Sequence, residues 1–198
     1  MNPVCRKNIS IIFESSFWFA IAFSVVILPL KWTIGWILAV AIHEFGHIIG
    51  IIVLGLPIYS VTLKCSGAYL KTAQMLPVQE IVVAALGPIF GMLPLFVVRY
   101  FPEFAICACF QFTYNMLPFE CFDGGRVLRN VLQCILTEKY AYCVMKCIQV
   151  LVLCVIVCLI VNLRWSRLAV LGFGMLLLRL IPITFPCKRK KQIVQWSK

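Results

Sequence analysis

Acidic side chains are scarce in this sequence: seven Asp and Glu stand among 198 residues, against 18 Lys and Arg. So few charges, in a chain that is 63% hydrophobic, exclude an ordinary water-soluble domain, which at this size leaves about a third of its unfolded-chain surface facing water. Lipid must be the solvent for most of it. There is no internal repeat, no low-complexity stretch and no sign of a second domain. Nor does a basic stripe or a recognisable binding fold accompany the net charge of +11, so nucleic acid is not an expected partner and the excess belongs at membrane interfaces. A small-x-small cleavage site is missing after the first apolar stretch, so no cleavable leader is expected.

Cysteine, by contrast, is plentiful, with 11 residues in or beside apolar stretches, which suits small hydrophobes better than a disulfide framework. Cys143, Cys147, Cys154 and Cys158 share one helical stripe, for which packing against neighbouring helices is the expected role. Apolar runs predict six spanning helices at about 11–30, 33–56, 77–98, 103–120, 144–162 and 167–184, the first two joined by a tight turn near Pro29 and Lys31. The expected fold is thus an all-α polytopic membrane protein, with one integral membrane domain over 1–185 and a basic cytoplasmic tail over 186–198. Lys and Arg accumulate in cytoplasmic loops. With the N-terminus inside, only Lys31, Arg99, Arg164 and Arg167 fall outside, which predicts a cell-membrane protein with both termini cytoplasmic. The segment Ile58–Thr72 differs in kind: partial alternation, β-branched and aromatic residues and Gly67 suggest one or two short strands at the inner surface.

The two histidines of the chain stand together in the second span, in His43-Glu44-Phe45-Gly46-His47. Four residues apart on a helix, both imidazoles can meet one zinc ion, with Glu44 beside them to take a proton from water. An ionisable residue at membrane depth is costly unless it has a partner or a role. Catalytic zinc wants a third protein ligand and an open position. Glu14, Glu80, Glu103, Glu120, Asp123 and Glu138 are the remaining acids. Asp123 is the choice, because Pro118 interrupts the fourth helix and Gly124-Gly125 loosens the backbone past the carboxylate, so that the side chain can turn into the bundle. Cys121 is the runner-up ligand, and an acid that merely caps the next helix is the plainer alternative for Asp123.

HEFGH in an early span, followed by Asn115-Met-Leu-Pro-Phe-Glu-Cys-Phe-Asp123-Gly-Gly in a later one, resembles the site-2 protease family of intramembrane zinc metalloproteases. More narrowly, it is similar to the compact bacterial type that includes the sporulation protease acting on a sigma factor precursor. The likeness covers roughly residues 35 to 135. It implies one zinc ion held by His43, His47 and Asp123, Glu44 as general base, and Asn115 beside an extended substrate or the developing oxyanion. It also implies that the strand region around Gly67 pairs with substrate backbone. The implied partner is a membrane-associated protein substrate, such as a sigma factor precursor or anti-sigma factor cut in regulated intramembrane proteolysis. Three departures stand out: Gly91 where an Asn is usual after the Gly87-Pro88 pair, Glu120 three residues before Asp123, and no sensory module after the sixth helix. The last leaves regulation to membrane partners or to substrate presentation. Two other classes fit the same residues, a metal transporter and a non-catalytic regulatory relative, and Glu44 discriminates between them and a protease.

Overall fold

The structure, a computed structural model, describes residues 10–65 and 67–162. Strand β1 (Ser10–Phe13) is followed by helix α1 (Ser15–Ile27), helix α2 (Leu30–Val53) and the strands β2 (Ile58–Lys64) and β3 (Gly67–Thr72). Then come α3 (Pro77–Gly91), a short 3-10 turn, α4 (Pro102–Asn115), α5 (Asp123–Ile135) and α6 (Glu138–Asn162). Among the described residues, three stretches are long and apolar enough to cross a membrane: Leu30–Val53, Pro77–Val97 and Glu138–Leu159. This is a multi-pass helical membrane fold with a small sheet.

The first expected span is corrected in part. Its opening residues are strand, not helix, and α1 ends at Ile27, so at 1.5 Å per residue it is only about 20 Å long against a hydrocarbon core of about 30 Å. Ser-Ile-Ile-Phe is as apolar as the helix after it, so hydropathy cannot separate the two; Glu14, ion-paired with Lys64 at 2.7 Å, marks the boundary. The expected fourth span is likewise a shorter helix, α4, followed by a loop and the separate amphipathic helix α5. The sixth expected span and the basic tail lie outside the described residues. On α6 the buried face carries Ala141 and Met145, while Cys143, Cys147, Cys154 and Cys158 are exposed among the described residues, so packing between the described helices does not account for the cysteine stripe.

The sheet has the order β1-β2-β3, with β1 parallel to β2 and β2 antiparallel to β3. The hairpin turns tightly, pairing Lys64 with Gly67. At the other end of the site, α2 stops at a glycine cap: Leu56 N–H bonds to Ile51 O at 3.0 Å and Gly55 N–H to Ile52 O at 2.9 Å, with Gly55 at φ +66°, the left-handed conformation that ends helices. Helix α3 starts on Pro77, and the Gln79 side chain accepts the Leu76 N–H at 2.9 Å.

Small residues let the helices come close, as membrane bundles require when lipid gives no hydrophobic drive to association. A Cβ at Gly35 would stand 3.0 Å from the Phe104 backbone nitrogen, and one at Gly50 3.2 Å from the Val83 Cα. At Gly46 it would collide with the Leu86 carbonyl oxygen. Ala39 fills a core with Phe104, Cys107 and Ala108. Helix α2 is therefore held between α3 and α4, and its buried stripe includes His43, Gly46, His47 and Gly50.

Candidate active site

Both histidines lie on the buried side of α2, His43 at 3% and His47 at 7% exposure. Asp123, the first residue of α5, reaches them from across the bundle. Its Oδ2 is 3.0 Å from His43 Nε2 and 3.2 Å from His47 Nε2, and the two Nε2 atoms are 3.2 Å apart. Three atoms each about 2.0–2.1 Å from one tetrahedral zinc would be roughly 3.3 Å apart. The observed triangle is close to that size, and two imidazole nitrogens with one carboxylate oxygen form a donor set suited to zinc. Among the described residues this is the one such group of three or more His, Cys, Asp or Glu.

Each side chain has a local cause for its position. Pro88 lies inside α3, where it removes the N–H that would have satisfied the carbonyl of Ala84 and loosens that turn. In the same turn the Val83 carbonyl lies 2.8 Å from His47 Nδ1; a proton on Nδ1 leaves the Nε2 lone pair facing Asp123. Gly87 makes room for the ring, since a Cβ there would overlap the His47 imidazole. Asp123 is swung inward by the loop 116–122. The loop is anchored by Phe122, 1% exposed and edge-on to Tyr114 at 4.5 Å. It folds so tightly over α5 that a Cβ at Gly124 or Gly125 would strike the carbonyls of Met116 or Phe119.

Glu44 faces the opposite neighbour, the hairpin. Gly67 stands so near its carboxylate that a Cβ there would be 2.7 Å from Glu44 Oε1. At φ +118° Gly67 also occupies a conformation that other residues rarely adopt. Asn115 is buried at the last position of α4, just before the loop that carries Asp123.

Other sequence candidates lie elsewhere. Glu80 accepts from Arg129 at 3.0 Å and Arg126 at 3.4 Å; Arg126 in turn lies 3.6 Å from Asp123 Oδ1. Glu80 is thus part of a charged chain behind Asp123 that sequence reasoning did not foresee, although Arg126 and Arg129, one and two helical turns beyond Asp123, were visible as charges. Glu120 faces Lys146 at 3.9 Å, and Cys121 is exposed.

No family model matches the sequence, and no curated protein matches it. The structure does match a solved one, the Site-2 Protease from Methanocaldococcus jannaschii, with a TM-score of 0.57 and 18% sequence identity over 82% of this chain and 84% of that chain. At that identity the match shows a shared fold.

Proposed function

We propose that this chain is a zinc-dependent intramembrane endopeptidase that hydrolyses a peptide bond of a membrane-embedded or membrane-tethered protein. The observation that carries the reading is the buried His43–His47–Asp123 triangle beside Glu44, inside a fold shared with the Site-2 Protease from Methanocaldococcus jannaschii. His43, His47 and Asp123 would hold the metal, which when bound would polarise the scissile carbonyl and acidify water. Glu44 takes the proton of the attacking water and returns it to the departing nitrogen. Its carboxylate lies against the hairpin at Gly67.

Substrate must arrive unwound, because a helix keeps its peptide groups in internal hydrogen bonds. β3 has one side paired to β2 and is an edge strand of the sheet, and its Gly67 lies beside Glu44. An extended substrate added along that edge, near Gly67, would pass over the site with its backbone held and its side chains little constrained. Asn115 contributes a side-chain amide to the same chain or to the oxyanion. Six spans with both termini cytoplasmic, the compact bacterial subtype, and a sigma factor precursor or anti-sigma factor as substrate complete the reading.

The metal half is tested by zinc content of the purified protein in detergent. About one zinc per chain is expected in wild type and in Glu44→Gln, and far less in His47→Ala and Asp123→Ala. Wild-type zinc in the two ligand variants would remove the basis of the proposal. A transporter reading predicts zinc movement that survives Glu44→Gln; the protease reading predicts cleavage that does not.

A further inference from the structure

Among the described residues, two buried side-chain polar atoms have no hydrogen-bond partner: His43 Nδ1 and Gln111 Oε1. An unpaired polar atom is costly in an apolar bundle, so each calls for a partner. The helix register brings them together. Gly35 of α2 abuts Phe104 of α4, and one turn on, Ala39 packs with Phe104, Cys107 and Ala108, so α2 and α4 run parallel here. One further turn on each helix, beyond this shared core, leads to His43 and to Gln111, both buried.

The third side of this space belongs to α3, where Gly91 presents no side chain. A Cβ built there would lie 3.4 Å from His43 Nδ1, an ordinary contact, so the position lies directly beside the orphaned nitrogen. His47 meets its own need through the Val83 carbonyl; no backbone carbonyl does so for His43.

The geometry points to Gln111 as the outer partner of His43, joined to it through one ordered water in the space that Gly91 leaves. Nδ1–H donates to that water, and the water donates to Gln111 Oε1. Two polar partners are the minimum that a buried water requires. The link fixes the His43 tautomer so that the Nε2 lone pair faces Asp123, as the Val83 carbonyl does for His47. Gln111 is thus a positioning residue acting through His43, and the histidine pair is tied to α3 by one ring and to α4 by the other. This rests on the metal reading of the site.

The test is zinc affinity by chelator competition on the full chain in detergent, for wild type, His43→Ala, Gln111→Met, Gly91→Ser and the Gln111→Met/Gly91→Ser pair. Loss of such an outer partner costs about 10–100-fold in metal affinity, and that loss is expected for Gln111→Met. Ser at 91 puts a hydroxyl within reach of Nδ1 and is expected to restore most of the affinity in the double variant, a rescue that a merely structural role of Gln111 would not give. Unchanged affinity in Gln111→Met, or a loss that Gly91→Ser leaves in full, overturns the inference. Gly91→Ser alone, which keeps Gln111, is expected to bind zinc at least as tightly as wild type; weaker binding counts against the link even if Gln111→Met fails to fold. If His43→Ala binds zinc normally, the metal reading itself falls; if His43→Ala loses zinc while Gln111→Met does not, only the present inference falls.

Discussion

Glu44 and His47 are neighbours on one turn of α2, yet they are held by different elements, the hairpin and α3 respectively. Their roles should therefore separate by substitution. Glu44→Gln keeps the shape and the zinc but removes the base, and a drop of about 10²–10⁴-fold in cleavage is expected, since that is the usual contribution of a positioned general base; turnover of the identified substrate at matched zinc content measures it. Gly87→Ala acts on the other neighbour. Its methyl group would occupy the volume of the His47 ring, so zinc and activity should be lost together, whereas Gly55→Ala, with nothing within 4 Å of the added Cβ, should cost only backbone strain at the end of α2. Normal zinc content in Gly87→Ala would show that the His47 ring does not need this space. At this scale the sequence was highly legible: two histidines four apart around a carboxylate, and one acid set in broken backbone, are the residues that the fold brings together or beside one another. What spacing could not reveal is what holds them. The Val83 carbonyl carries no side-chain signature, and Glu80, Arg126 and Arg129 read as ordinary charges until the packing of α3 on α5 places them behind Asp123.

The three-stranded sheet shows the limits of pattern reading for an element. β2 and β3 were legible in the alternation of Ile58–Thr72, but β1 was hidden in an apolar run, because four residues of Ser-Ile-Ile-Phe satisfy helix and strand equally and only their partner, β2, decides. Helix α5 was expected only as the next helix after Asp123, starting near Arg126, and not as a span: Arg126, Arg129 and Asn130 make it polar on one face, and it begins at Asp123 itself. The hairpin also offers a test that leaves the metal alone. Gly67→Val forces a β-branched side chain into positive φ and against Glu44. Cleavage is expected to fall at least tenfold, an order-of-magnitude figure from the cost of strained backbone, with zinc content unchanged. A Gly67→Val protein that cuts at the wild-type rate would separate β3 from the chemistry.

For the whole molecule, composition alone established lipid as the solvent, because seven acids cannot clothe a 198-residue soluble protein. The number of crossings was less legible, since α1 and α4 are short apolar helices whose depth depends on how they pack, not on their hydropathy. Orientation rests on the basic residues. If both termini face the cytosol, a protease site inserted near Arg99 should be cut from outside intact cells, and one inserted near Lys139 only after the membrane is opened; the reverse pattern would invert the topology and put Asp123 toward the outer face. Zinc binding, strand pairing and topology all serve one claim, that Glu44 drives hydrolysis of a membrane protein. The most direct measurement is quantitative N-terminal proteomics on native cells carrying wild-type protein or Glu44→Gln at matched expression. Specific new N-termini should be present with wild type and vanish in the variant while the uncut precursors accumulate. An identical set of termini in both strains, with the protein present and zinc-loaded, would contradict the assignment as a protease.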